Sequence, residues 1–345
     1  MSSHRQAEFV VRLLDEQDQE IRVLDGVMGG SVSLSATTRL RASGQLSIQE
    51  TGEEIDWLSH RVRIDYEPVG MEPWSLGVFL LSSPQDSHSE SGTSWDVDLL
   101  GKLAVLDGDS IEQTLAVPAG TNLVEAAHQL IRDAGETRVA VTPSTATSAS
   151  EMVWDPGTSV LTVVNELLDA AGYWACFTDG AGVVHLEPYV RPAARARTFN
   201  FVEGETAIHS AEWTREQDLA AVPNRVLLVG QGDQDRPALV GVATNEDPQS
   251  RFSRQRRGRW ITVSETGVEA ADQATITAKA RRKLIEASTP QAKLQVSHMP
   301  IPVAPNHAGI FRSQGADSRV VLQSIEYQLD PTALVKSTLI EVVDL

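Results

Sequence analysis

The sequence predicts a mainly β (α+β) fold in which two strand-rich modules flank a small α/β insertion. Two observations carry this. Period-two alternation dominates both ends of the chain, as at Val32, Leu34, Leu46 and Ile48, the pattern of half-buried strands. Helical periodicity appears twice in the middle, at Leu123, Ala126, Ala127, Leu130, Ile131 and Ala134, and again at Val160, Val163, Val164, Leu167, Leu168 and Ala171. With 345 residues, 41% of them hydrophobic, the chain can bury two or three cores.

Residues 1–113 read as the first β module. Phe9–Leu14 and Ile21–Leu24 are short apolar runs separated by the polar turn DEQDQ. Alternating strands follow, with Ser43-Gly44 expected as a hairpin turn and Glu53–Leu58 as one helical turn. Arg61–Tyr66, Leu76–Leu81 and Trp95–Leu100 complete the set. Residues 114–197 form the insertion. Thr121 and Thr158 are placed to cap its two helices, and Gly135 and Gly172 to end them. The matching helices are read either as a duplicated unit or as two optimised amphipathic helices that converged. YWACF and VVHLEPYV, joined by TDGAG, read as a hairpin turned at Asp179-Gly180. PAARAR, residues 192–197, is a linker. Residues 198–345 return to strands, with a helix near 268–288 and a closing hairpin about the turn DPTA.

Charge narrows the partners. The net charge is -18, of which residues 1–120 contribute -12, with 8 basic and 20 acidic side chains. Such a chain repels nucleic acid and anionic lipid, so DNA could pass it only without sticking. No apolar run reaches the length of a membrane span, so no membrane insertion is expected, and the start lacks the layout of a secretory signal. The single cysteine, Cys176, excludes an intramolecular disulfide and reads as a buried thiol.

Catalytic signatures are missing. Eight histidines occur without metal-ligand spacing, and H-E-x-x-H, C-x-x-C and G-x-S-x-G are absent. Gly230-Gln231-Gly232 lacks the third glycine of a dinucleotide fingerprint, and Asp107-Gly108-Asp109 with Glu112 lacks a full calcium loop. No catalytic, cofactor-binding or metal residue is assigned, and the chain is expected not to be an enzyme. One cluster stands out: Arg251, Arg254, Arg256, Arg257 and Arg259. In an acidic chain this loop can meet the acidic face of a neighbouring copy. A solvated loop is the competing reading, and nucleic-acid binding ranks third.

Several segments, in order, resemble minor tail proteins of long-tailed, siphovirus-type actinobacterial phages. They are IDWLSHRVRIDYEP, PWSLGVFLLSSPQ, WDVDLLGKLAVLDGD, VPNRVLLVGQG, the N-x-D-P-x-S loop from Asn245, and VVLQSIEYQLDPTALVKSTLIEV. Ser250-Arg251 departs from the usual serine-proline there. Such proteins are similar to baseplate hubs of contractile tails and to the N-terminal part of type VI secretion spikes. The resemblance implies two tube-like β-barrel domains per chain, at 1–113 and 198–345, and a homotrimeric hub in the virion tail tip, assembled in the bacterial host cytoplasm. It implies as partners a tail-tube or distal tail ring protein, a tape-measure protein and a downstream spike or fibre, with DNA in transient passage. The alternatives are a module binding host-wall polysaccharide through Trp57, Trp74, Trp95 or Trp154, and a wall-degrading hydrolase.

Overall fold

A computed structural model describes residues 6–90, 92–217, 219–230, 238–268, 272–287 and 292–342. The fold is mainly β, with 46% strand against 15% helix, so sheets and not helices set its framework. The chain forms two compact units: Met1–Trp213 with Gln295–Leu339, and Thr214–Leu294 with Ile340–Leu345. This grouping reflects packing, whereas the three-part reading of the sequence describes order along the chain.

Unit 1 begins with seven antiparallel strands: β1 (Ala7–Leu14), β2 (Glu20–Val23), β3 (Val27–Ser35), β4 (Ala42–Gln49), β5 (Arg61–Pro68), β6 (Trp74–Ser89) and β7 (Gly92–Gly101). They lie in the order β3-β4-β7-β6-β5-β1-β2. Alternation places Leu13, Leu46, Ile64, Phe79, Val97 and Leu99 in the core. Ser43-Gly44 is not the turn. It lies inside β4, where Gly44 passes so close to β3 that an added Cβ would stand 2.4 Å from the Ser31 carbonyl oxygen. The chain reverses instead over residues 36–41, and Arg41 takes the left-handed conformation (φ 62°) that the reversal needs. Glu53–Leu58 forms no helix; turns occupy 57–59.

The insertion follows with α1 (Ala104–Gly108), β8 (Leu115–Val117), α2 (Leu123–Asp133), β9 (Val139–Val141), β10 (Met152–Trp154), α3 (Val160–Ala170), β11 (Phe177–Thr178) and β12 (Val184–Leu186). Its core gathers the apolar faces read from the sequence, with Ala127, Ile131, Val163, Val164, Leu167 and Leu168 fully buried. Each cap sits one residue later than the sequence reading placed it. Asn122 accepts from the Val124 and Glu125 amides, and Ser159 accepts from Thr162, satisfying donors that the first turn leaves free. Of the YWACF run only Phe177 joins a strand, β11, while Tyr173 makes a lone bridge to Pro188 and the Cys176 amide donates to Asn165 of α3.

Beyond the insertion come β13 (Arg197–Val202), β14 (His209–Glu216), β15 (Arg225–Gly230), β16 (Val240–Thr244), α4 (Arg254–Arg257), β17 (Thr262–Val268), α5 (Gln273–Ala287), β18 (Lys293–His298), β19 (Ala308–Ser313), β20 (Ala316–Gln328) and β21 (Val335–Glu341). The 13-residue strand β20 does two jobs. Its first half pairs with β19, and Ser324–Gln328 pair antiparallel with Ser31–Ser35 of β3. The N-terminal and C-terminal strands therefore share one 13-stranded sheet, whose path runs from β14 to β2. Among the described residues this order is open and closes no barrel.

Unit 2 has its own three-stranded sheet, β16-β15-β17. Helix α5 covers one face, where Val226, Leu228, Ala243, Ile276, Ala280 and Leu284 form the core. Gly241 lets the helix approach, since a Cβ there would lie 2.4 Å from the Ile276 carbonyl oxygen. Val240 and Val242, which alternate with the buried face, are exposed.

Candidate assembly surfaces

The predicted arginine cluster lies on the ordered segment between β16 and β17. Asn245 begins it, donating to Ser250 Oγ (2.9 Å), while Asp247 Oδ1 accepts from the Gln249 amide. The N-x-D-P-x-S pattern is thus a self-closing polar turn. Buried Ser253 caps α4, and Gly258 (φ 67°) ends it. Asn224, also fully buried, fastens the far end: its side chain donates to the Arg259 carbonyl (2.9 Å) and accepts from the Ile261 amide (2.8 Å). Asn224, the residue that leads NRVLLVG, is the positioning side chain of this loop, a role not read from the sequence.

Ordering the loop uses part of the cluster. Arg257 donates to the carbonyls of Val222 (2.6 Å) and Leu219, and Arg256 to that of Pro248 (3.1 Å). The guanidinium carbons of Arg254 and Arg225 each stand 4.9 Å from the Trp260 ring centroid, and those of Arg251 and Arg257 lie 5.2 and 5.4 Å from that of Phe252. Among the described residues, none of the five predicted arginines meets a carboxylate. Residues 214–294 hold 13 basic and 10 acidic side chains, a net of +3 in a chain of -18.

A second charged constellation, not foreseen, sits inside unit 1. The DEQDQ turn is built by Asp15, whose Oδ1 accepts from the Gln17 and Gln19 amides, leaving Asp18 left-handed (φ 61°) with its carboxylate buried. Asp18 meets Lys102 and Arg61 (2.8 Å), with Arg138 at 3.3 Å. Glu136 meets Lys102 (2.7 Å) and Arg61 (3.0 Å), and Lys102 Nζ also donates to the Gly182 carbonyl (2.7 Å). Lys102 therefore spends all three donors. This network ties the first strands to the insertion. Gly180 and Gly182 permit the same contact, because a Cβ would lie 2.1 Å from the Ser75 carbonyl oxygen and 2.7 Å from the Val78 side chain. Nearby, Arg39 donates to Asp107 (2.7 Å), Ser159 (2.7 Å) and Thr162 (2.9 Å), fixing the start of α3.

On the β1-β5 surface Arg12 joins Asp65, Glu67 and Glu20, and Arg63 joins Asp65 and Glu20. The hydrogen bond that Arg12 donates to Asp65, opposed by burial, holds the Arg12 guanidinium above its ordinary proton affinity. Strand β2 is an end of the sheet path and exposes Ile21 and Val23, an edge open to pairing. Leu58, 98% exposed, is the extreme case of an uncovered apolar side chain.

The tryptophans are committed to packing. Trp154 is buried and donates to Glu166 (2.7 Å); Trp57 packs at a tilt against Trp95 (5.2 Å between ring centroids) and Trp74 against Tyr66 (4.7 Å). Burial pushes the Cys176 thiol up to about 12, far from a reactive thiolate. Asp107 is held by Arg39, and no cluster of metal-ligating side chains occurs among the described residues. No helix among them is long and apolar enough to cross a membrane.

No protein-family model matches the sequence, and no curated protein sequence matches it. Solved structures do match. The chain is similar to the tail protein of Neisseria meningitidis MC58, with TM-score 0.68 and 13% identity over 97% of each chain. It is similar to the 43 kDa tail protein of prophage MuSo2 from Shewanella oneidensis, with TM-score 0.68 and 14% identity over 97% of this chain and 98% of that one. An E. coli type VI secretion component, itself described as structurally similar to bacteriophage T4 tail proteins, aligns at TM-score 0.51 and 10% identity, over 99% of this chain and 76% of that one. The fold is thus that of phage tail proteins and their secretion-system counterparts.

Proposed function

We propose that this chain is a structural protein of a phage tail tip: a hub that trimerises beneath the tail tube, adapts six-fold to three-fold symmetry, and lines part of the DNA-ejection channel. The observation that carries this reading is the likeness to tail proteins along nearly the whole of both chains. The organisation of unit 1 is compatible with it, since strands from both ends of the chain join through β20 and β3. In this reading each copy offers two strand-rich faces. Three such copies present six faces toward a six-fold tube and three insertions outward. Acid-rich first strands suit a lumen that DNA must leave freely. The arginine cluster, whose side chains meet no carboxylate among the described residues, is assigned to contacts between chains.

Its partners in this reading are copies of itself, the tube or distal ring protein, the tape-measure protein and a downstream spike or fibre. The polysaccharide reading has less support, because Trp57, Trp74, Trp95 and Trp154 all pack inward or against other rings. A phage lacking this chain is expected to yield particles without finished, infectious tails, seen by electron microscopy and restored by complementation. Normal infectious particles without the chain would refute the proposal.

A further inference from the structure

Unit 1 contains a cavity of about 780 Å³, walled by Trp74, Trp174, Phe177, Val303 and Pro305 among others, and reached by Arg41. Its size falls within the range of ligand-binding sites. Arg41 is the anomaly. Arg39, two residues earlier in the same reversal, makes three hydrogen bonds. Arg12, Arg61, Arg63 and Arg138 all meet carboxylates, and Arg195 donates to two carbonyls and lies over Trp174. Among the described residues the half-buried Arg41 side chain has neither a hydrogen bond nor a carboxylate. Burial lowers its proton affinity, and its backbone is left-handed. A cation held partly out of water without compensation costs stability, so its retention points to a partner from outside the chain.

The cavity's own carboxylates, Asp179 and Glu187, are both held by His185 and not by Arg41, and the same chain carries a segment of charge opposite to Arg41. In Glu53-Glu54-Ile55-Asp56-Trp57-Leu58, Glu53 is taken by Arg22, and Asp56 accepts from Leu58 and Ser59. The Glu54 carboxylate has no partner among the described residues, and Leu58 is 98% exposed. We propose that the 53–58 segment of a second copy docks in this cavity, Leu58 against the aromatic wall and Glu54 on Arg41. Segment and cavity are different patches, so the contact is head-to-tail, the kind that closes a ring when the rotation between copies allows it, here the trimer of the hub reading. The inference rests on the hub reading and specifies how its ring is joined.

The test uses purified particles assembled with a Leu58→Cys, Ala304→Cys chain; Ala304 lines the cavity and is exposed, and the native Cys176 is buried. Oxidation is expected to give disulfide-linked ladders up to the trimer. Arg41→Glu should reduce them about tenfold through like-charge opposition, and adding Glu54→Arg should restore them. Arg41→Met should leave the free protein melting no lower than the native chain, which separates a docking role from a folding one. A chain present in particles without ladders, ladders indifferent to Arg41→Glu, or an Arg41→Met protein that melts lower would each overturn the inference alone. Absence of the chain from particles would overturn the hub reading beneath it.

Discussion

The buried network around Asp18 and the arginine loop after β16 use the same chemistry to opposite ends. In the first, Lys102 and Arg61 are each shared between Asp18 and Glu136, so every charge is answered inside unit 1. In the second, four of the five arginines lean on carbonyls or rings, and none of the five finds a carboxylate among the described residues. A closed network stabilises one arrangement of its own chain. An open cluster stabilises little internally and leaves its charge for a partner.

The largest effect should come from breaking the closed network. Lys102→Met leaves two buried carboxylates short of a cation and is expected to cost about 3–5 kcal/mol in urea unfolding. A loss below about 1 kcal/mol would show the network to be solvated. A third kind of buried polar group sharpens the contrast. His298 is fully buried, bonded to Ser337 (2.8 Å) and the Met299 carbonyl, and burial lowers its pKa to about 4. The unfolded chain therefore binds the proton more readily, so stability is complete above about pH 6.5 and declines as pH falls toward 4, by about 3 kcal/mol in all. His209 and His307 are shifted in the same direction by burial. Melting temperature should accordingly fall between pH 6.5 and 5, and fall less in a His298→Gln variant; equal slopes would remove His298 from this role. Gly180→Val tests the close approach that accompanies the network, and should destabilise by about 1–3 kcal/mol through forced backbone movement. The open cluster should respond least. Arg254→Ala loses one cation–ring contact with Trp260, about 0.5–1 kcal/mol, whereas Arg259→Glu, at an exposed side chain that holds neither ring nor carbonyl among the described residues, should leave melting nearly unchanged and still weaken incorporation into tails.

What the sequence disclosed follows from the range of the forces involved. Helix faces and strand alternation are local, so α2, α3 and the β1–β7 set were legible from spacing alone, with caps misplaced by one residue because Thr-Asn and Thr-Ser pairs offer two acceptors. The arginine cluster was legible as composition, but its order was not, since Asn224 reaches it from about 35 residues away. The Asp18 network was invisible because its members lie up to 120 residues apart. The reversal at 36–41 was missed because Arg41 adopts a conformation for which Gly44, nearby, was the natural candidate. The compactness of 214–294 likewise depends on β15-β17 pairing across a long excursion of chain.

Cryo-electron microscopy of the tail tip tests the hub claim most directly. Three copies of this fold, directly beneath a six-fold tube ring and around an open or plugged conduit, are the expected result. A single copy, a six-fold ring of it, or its placement away from the tube axis would contradict the account.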